Sequence, residues 1–184
     1  MNPLLYFLLI HFLADYPLQP NKLIQLKKKS YWGVFLHCCV HLTVLILVLL
    51  PFLHLKSVWI GIGVIFFTHN IIDYIKVRLD KKHPDWRLPH YLLDQVTHLV
   101  VIACVVAYLQ NITPQFIGGS MDLYLDQSVV LYVLILVLVT YFYDVTRYFI
   151  RTRKKQIPYK RDYMTMIRNV FIVSIAFAIY WIAY

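Results

Sequence analysis

The sequence contains no glutamate, so its acidic side chains are nine aspartates. The Glu-x-x-His motif with which soluble four-helix bundles hold two iron ions is therefore absent. The three cysteines lie in apolar stretches and form no Cys-x-x-Cys pair, so we expect neither a disulfide nor a zinc knuckle. No Gly-x-Ser-x-Gly elbow marks a serine nucleophile either.

Charged residues are scarce across long stretches of the chain. Of the 184 residues, 60% are hydrophobic, and the mean hydropathy is +0.63. A helix satisfies its own backbone hydrogen bonds in lipid, so the sequence predicts an all-α membrane bundle of about six transmembrane helices. The first segment ends at Pro17 and Pro20 and is expected to span only in part. The apolar segments, each near the roughly 20 residues of a membrane span, are 3–18, 31–53, 56–77, 88–110, 123–150 and 163–183.

The basic residues predict how this bundle is oriented. Lys and Arg gather in the connections after the first, third and fifth segments, whereas the alternate connections carry only Lys56. Because Lys and Arg concentrate on the cytoplasmic side, these three connections are expected to face the cytoplasm and both termini the opposite side. The same pattern accounts for the net charge of +9, so no nucleic-acid partner is expected. The start of the chain shows no signal-peptide pattern, and we expect a retained helix there.

Four of the six segments carry a pair of ionisable residues spaced four residues apart. Such a spacing places both side chains on one face of a helix, about one turn apart. At a rise of 1.5 Å per residue, all eight residues lie roughly 3–15 Å inside the predicted cytoplasmic boundary. Ionisable residues inside a membrane usually face the bundle interior, so we expect the pairs to converge. The pairs are His11/Asp15, His37/His41, His69/Asp73 and Asp94/His98.

The spacing of the pairs indicates an internal repeat. The first and third pairs are 58 residues apart, and the second and fourth pairs are 57 residues apart. The hairpin of segments one and two is therefore expected to recur, in the same orientation, as segments three and four. Such a repeat predicts a pseudo-two-fold axis along the membrane normal. We expect a single domain, 1–184, with a four-helix core, 1–110, and two additional helices, 111–184.

The chemistry of the eight side chains favours a metal site. Imidazole and carboxylate are ligands for zinc, iron, manganese or cobalt, and five histidines with three aspartates are enough for two ions. The alternative is a set of hydrogen bonds between helices. A charged aspartate inside the membrane costs on the order of 2–3 kcal/mol, so three of them need a compensating cation. We expect two divalent ions, zinc foremost, with manganese or iron as alternatives.

Polar residues beside the pairs suggest further roles. Gln95 flanks a predicted ligand and is expected to orient it and contact the substrate. Lys76, Arg147 and Arg168 lie near the same ends of their segments, where they would form an anion-binding rim for a phosphate or carboxylate headgroup. The expected catalytic groups are Lys76 and the aspartates, one of which would remain free as a general base: Asp15, Asp73 or Asp94.

Four motifs carry a resemblance to a known family. In order and spacing they resemble a bacterial family of small integral membrane proteins that is classed only as a domain of unknown function. The resemblance covers roughly the first 110 residues and implies a location in the bacterial inner membrane. A second, less extensive likeness is to membrane-bound metal-dependent hydrolases, which also arrange His and Asp across short membrane helices. The motifs are HFLADYPLQ, HCCVH, HNIIDYIK and LLDQVTH.

These observations lead to a hydrolase hypothesis with three alternatives. Without a nucleophile motif, metal-activated water is the economical nucleophile, and the substrate is expected to be a lipid or lipid-linked molecule reached from the cytoplasmic side. The bond cleaved can be a phosphoester, an ester or an amide. The alternatives are a di-iron oxidase or desaturase, a divalent-metal transporter, and a non-catalytic metal-binding membrane protein. The sequence does not choose an oligomeric state.

Overall fold

The protein is helical wherever the structure describes regular elements. The computed structural model of the protein describes residues 3–109, 126–152 and 159–183, and it confirms the predicted all-α bundle. Two short 3-10 turns, Leu50–Phe52 and Pro84–Trp86, adjoin the helices. In chain order the helices are α1 (Pro3–Asp15), α2 (Asn21–Lys29), α3 (Tyr31–Val48), α4 (Lys56–Lys82), α5 (Arg87–Tyr108), α6 (Gln127–Val137), α7 (Tyr143–Arg151) and α8 (Tyr163–Ala183).

Five helical stretches within the described residues are long and apolar enough to cross a membrane, which makes the chain a multi-pass membrane protein. They are α3, α4, α5 with its preceding turn, the continuous rod of α6 and α7, and α8. By contrast, α1 has 13 residues and is about 20 Å long, short of a hydrocarbon core of roughly 30 Å. The predicted connection 111–122 and the basic stretch 153–155 lie outside the described residues.

Four of the helices form a closed ring. Helix α1 packs against α3, α3 against α4, α4 against α5, and α5 against α1. In this order α1 lies across the ring from α4, and α3 lies across from α5. A two-fold relation between the α1–α3 and α4–α5 hairpins requires this placement, so the ring agrees with the repeat inferred from spacing.

One end of the ring is closed by apolar side chains. Phe7 of α1, Leu45 of α3, Ile62 of α4 and Val105 of α5 belong to one buried cluster, and each is at most 4% exposed. Phe52, in the turn after α3, is fully buried in the same cluster. The opposite end of the bundle carries α2, the α4–α5 connection and the start of α8, and we call it the basic end.

Helix α2 is amphipathic and was not predicted. It lies directly against the start of α3, where Gly33 faces the backbone of Leu26. A Cβ atom on Gly33 would lie 2.2 Å from the Leu26 carbonyl carbon, so only glycine allows this close approach. Ser30 joins the two helices, and its Oγ accepts a hydrogen bond from the Gly33 N–H at 3.3 Å. The contact holds the lysines of α2 against the ring.

Helices α6, α7 and α8 lie on one side of the ring. Helix α6 packs against α1 and α8, and it joins α7 through a π-helical turn, Leu138–Phe142. The Asn169 side-chain amide donates to the Val139 carbonyl at 2.6 Å within this turn. A π turn inserts an extra residue and rotates the helix that follows. Phe142 thereby packs edge-on against Phe12 at the α1 surface.

Candidate metal centre

The structure brings the four predicted pairs together inside the ring. Seven of the eight side chains are buried, and Asp15 is the most accessible of them, with 10% of its side chain exposed. Each helix contributes one i, i+4 pair, so the geometry follows from the helical repeat and from the ring arrangement. The eight residues, which we call the His/Asp cluster, are His11, Asp15, His37, His41, His69, Asp73, Asp94 and His98.

Asp15 lies at the centre of the first part of the cluster. Its Oδ1 atom is 2.8 Å from His41 Nε2 and 3.0 Å from His37 Nε2. The same oxygen is 3.7 Å from His69 Nε2, while Oδ2 is 3.6 Å from His11 Nε2. One carboxylate therefore faces three imidazoles from two other helices, besides the histidine partner on its own helix. Four ligand atoms from this group, one per residue, lie within 4.8 Å of one another.

The second part of the cluster centres on Asp73. Its Oδ2 atom lies 3.5 Å from the Nε2 atoms of both His69 and His37, and these two nitrogens are 3.3 Å apart. A third group combines Asp73 with Asp94 and His98, again with one ligand atom from each residue inside 4.8 Å. His69 belongs to both the first and the second group, and Asp73 to both the second and the third, so the three groups form one continuous polar core.

Several buried atoms of the cluster have no hydrogen-bond partner among the described residues. They include His11 Nε2 and both ring nitrogens of His98. Leaving such a group unsatisfied costs about 1–3 kcal/mol. Imidazole nitrogens and carboxylate oxygens are ligands for divalent ions such as zinc, manganese and iron. The unsatisfied atoms and the donor set therefore fit a bound divalent metal ion.

Two lysines enter the cluster from its edges. Lys27 Nζ lies 2.5 Å from Asp73 Oδ2, and Lys76 Nζ lies 3.5 Å from Asp94 Oδ2. The sequence had assigned Lys27 only to a cytoplasmic loop, because lysines between apolar segments signal orientation. The amphipathic pattern of Asn21–Lys29 was the one available sign that this connection folds back onto the ring.

Side-chain amides orient the ligands. The Gln95 Nε2 group donates to Asp94 Oδ2 at 3.1 Å and to Asp15 Oδ2 at 3.4 Å, so it bridges two carboxylates. Gln19, which sequence reasoning did not single out, lies 3.0 Å from His37 Nδ1 through its Nε2 atom. An amide partner on the outer ring nitrogen directs the other nitrogen towards the cluster.

Two cavities adjoin the cluster. A small one of about 10 Å³ lies among the rings of His11, His41, His69 and His98, which is near the minimum for a single water. A large one of about 660 Å³ has Asp15, Asp94 and Gln95 at its inner end. This large cavity lies at the basic end, and its far wall comes from the π turn, from α7 and from the residues before α8. That wall consists of Tyr141, Val145, Tyr148, Phe149, Tyr159 and Arg161.

Basic residues surround the large cavity, though not all of those expected. Lys76 lines it, but Arg147 and Arg168 do not. Arg147 NH1 pairs instead with Asp162 Oδ2 at 3.1 Å, and Arg168 is exposed. Their places are taken by Arg87 and Arg161, which sequence reasoning missed.

Lys28, which lines this cavity, has a lowered pKa. Burial is the main cause that lowers the pKa of Lys28, and the positive charges of Arg87 and Lys76 lower it further. Asp80 acts in the opposite direction. Beside the effect of burial, Arg87 and Lys76 therefore contribute positive potential at the Lys28 ammonium.

The fold and the cluster define a multi-pass membrane protein with buried histidines and aspartates that could hold a metal ion. Residues 4–118 match the family described as "Protein of unknown function (DUF3307)", and the chain belongs to this family. The matched range contains the whole His/Asp cluster and ends before α6. No match was found among curated proteins or among solved structures.

Proposed function

We propose that this protein is a membrane-embedded hydrolase with two divalent metal ions, zinc foremost, in the His/Asp cluster. One observation carries the proposal: histidines and aspartates from four helices form one buried cluster that could hold metal ions, and two of its members, Asp15 and Asp94, line a large cavity. A purely structural cluster would have no need of an adjoining cavity of about 660 Å³, which is within the usual size range of small-molecule sites. The likeness to membrane-bound metal-dependent hydrolases points the same way.

Divalent ions in such a site supply Lewis acidity and bring the pKa of water close to 7. The residues at the inner end of the cavity perform the proton transfer. We assign Asp94 Oδ1 as the base, because it is buried, has no hydrogen-bond partner among the described residues, and borders the cavity. Asp73 is better suited as a ligand, since it belongs to two of the three ligand groups and does not line the cavity. Hydrolysis then adds the water oxygen to the substrate, breaks the bond to the leaving group, and returns the proton to that group.

The surroundings of the site favour a lipid or lipid-linked substrate. The cavity lies at the basic end, and connections rich in Lys and Arg are typical of the cytoplasmic side, here of a bacterial inner membrane. The other end of the ring is closed by the apolar cluster around Phe52 and Leu45. This closure favours an enzyme that opens to one face over a transporter, which needs a path to both faces.

Metal content tests the proposal directly. Elemental mass spectrometry on detergent-purified protein is expected to find about two divalent ions per chain. His41→Ala and Asp73→Ala should lose metal, whereas His54→Ala should keep it, because His54 is exposed and lies outside the cluster. If the protein purified without chelator holds no metal and regains none from Zn²⁺, Mn²⁺ or Fe²⁺, the proposal is wrong. Iron at that stoichiometry would support the oxidase instead.

The orientation has its own test, at the two ends of α4. Lys56 and Lys82 are both exposed and begin and end this helix. In intact cells whose outer membrane has been made permeable, a membrane-impermeant maleimide should label Lys56→Cys. Lys82→Cys should be labelled only after the inner membrane is opened. The reverse pattern would place the cavity on the outer side.

A further inference from the structure

The large cavity carries more positive charge than its own carboxylates balance. Six basic side chains line it against three carboxylates, which are Asp15, Asp80 and Asp94. Asp94 is paired with Lys76, and Asp80 accepts from His90 Nδ1 at 2.9 Å. The basic side chains are Lys27, Lys28, Lys76, Lys81, Arg87 and Arg161.

Four of these six cations have no carboxylate within ion-pairing distance among the described residues. They are Lys28 of α2, Lys81 of α4, Arg87 at the start of α5, and Arg161 before α8. They come from four separate segments of the chain and face one space. Bringing them together costs electrostatic free energy, and an anion in the cavity would offset that cost.

The two arginines are held by aromatic rings instead of acids. The Arg87 guanidinium lies 5.6 Å from the Phe149 ring centre and 5.9 Å from that of Tyr148. The Arg161 guanidinium lies 5.1 Å from the Tyr141 ring centre, and its Nε atom is buried without a hydrogen-bond partner in the described part of the chain. Arg87 NH2 also donates to the Tyr148 hydroxyl at 3.5 Å. The aromatic contacts hold each planar group while other N–H donors remain for a ligand. Paired N–H donors match the oxygens of a phosphate.

The size and the charge of the cavity indicate which ligand it can hold. A space of about 660 Å³ holds far more than an inorganic ion, so there is room for the polar group that a phosphate links. A phosphate monoester carries about −1.5 to −2 charges at neutral pH, which suits several unpaired cations better than the single charge of a carboxylate does. Asp15 and Asp94 stand at the inner end, beside the His/Asp cluster.

We propose that the cavity binds the phosphoryl headgroup of a membrane amphiphile, with Arg87 and Arg161 contacting the phosphate oxygens. The substrate of the proposed hydrolase is then a phosphorylated lipid, and in this respect the inference rests on the proposed function. The binding itself depends on side chains that are present with or without metal.

The test is an equilibrium binding measurement on the full chain in detergent, after treatment with a chelator. Radiolabelled dioctanoyl phosphatidate is expected to bind saturably, and unlabelled dioctanoylglycerol is expected not to compete. Arg87→Ala and Arg161→Ala should each weaken binding about ten-fold or more, because a charge-assisted contact is lost. Arg161→Lys should weaken it less. Arg168→Ala is the matched control and should bind like the wild type, since Arg168 is exposed and outside the cavity.

Inorganic phosphate separates the two sources of the same chemistry. Weak competition by phosphate supports a lipid headgroup as the ligand. Competition as strong as that of unlabelled phosphatidate would contradict an amphiphilic ligand and favour a soluble phosphoryl ligand. Unchanged binding in both alanine variants, or competition by dioctanoylglycerol, would overturn the whole inference. Folding of each variant is checked by its thermal unfolding midpoint, with Arg161→Lys as the second variant if an alanine variant fails. A protein that binds metal but not phosphatidate would contradict only this inference. A protein that binds phosphatidate but no metal would contradict only the proposed hydrolase.

Discussion

The His/Asp cluster and the far wall of the large cavity are built in different ways. The cluster comes from α1, α3, α4 and α5, within the range that matches the family, and its members contact one another at 2.8–3.8 Å. The wall comes from the π turn, α7, Tyr159 and Arg161, outside that range, and most of its side chains are aromatic. The first region is suited to hold ions and the second to recognise a headgroup. Metal binding and headgroup recognition can therefore be disrupted separately.

The largest effect is expected from Asp15→Ala, which breaks the cluster alone. The change removes the carboxylate that contacts both His37 and His41, so two buried imidazoles lose their partner. Metal should be lost, and the free energy of unfolding should fall by about 1–3 kcal/mol. Elemental mass spectrometry and chemical unfolding measure the two effects. Asp126→Ala is the control and should keep its metal, because Asp126 caps α6 and lies outside the cluster. Retention of metal by Asp15→Ala would contradict the assignment of Asp15 to the metal site.

The next effect concerns α2, which links the two regions through Lys27 and Lys28. In Gly33→Ala the new Cβ would clash with the Leu26 backbone, so α2 must move and Lys27 must leave Asp73. Overpacking of this kind costs about 1–3 kcal/mol. Gly63→Ala is a matched control, because no atom lies within 4 Å of its added Cβ. Thermal unfolding in detergent should show a lower midpoint for the first variant only, and equal midpoints would refute the close contact.

A smaller effect is expected when the wall alone is altered. Tyr141→Ala removes the ring beneath the Arg161 guanidinium, and a cation–π contact is worth about 0.5–1 kcal/mol at such sites. Phosphatidate affinity should therefore fall about three-fold, while metal content stays unchanged. Tyr141→Phe keeps the ring and should bind like the wild type. Loss of metal in Tyr141→Ala would show that wall and cluster are not independent.

The smallest effect is a pH dependence of phosphatidate binding. Because burial and the nearby Arg87 and Lys76 lower the pKa of Lys28, its ammonium loses its proton at a lower pH than an exposed lysine does. Affinity should therefore decrease as pH rises, about two-fold between roughly pH 8 and pH 10. Lys28→Arg keeps its charge over this range and should flatten the curve. A curve of the same slope in both proteins would remove Lys28 from the site.

The His/Asp cluster was predictable because helical periodicity determines which residues share a face. Depth along each helix then placed all four pairs in one layer, so their convergence inside the bundle could be predicted. The lysine contact to Asp73 was not predictable in this way, because it depends on α2 folding back and on the missing side chain at Gly33. Local spacing does not contain such a long-range contact.

The arginines of the cavity show a second limit. Arg147 was placed in the rim from its position near the end of a segment, yet it pairs with Asp162. The π turn Leu138–Phe142 rotates α7 relative to α6. The face on which Arg147 lies therefore cannot be counted in helical turns from the start of α6. Arg87 and Arg161 lie outside the predicted segments, and in the structure Arg87 begins α5 while Arg161 precedes α8, so helical periodicity gave neither a direction. Their convergence depends on how α5, α7 and α8 pack.

The apolar closure of the ring has a kinetic consequence. The small cavity beside the histidines has space for about one water and is lined by the cluster, Thr68 and apolar side chains such as Phe7, Ile10 and Leu45. Of the two cavities, the large one is the wide approach to the cluster, from the basic end. Ions that use this approach enter before the headgroup, and a bound headgroup slows their departure. Loading is thus ordered, and a chelator should strip the protein more slowly when this approach is occupied.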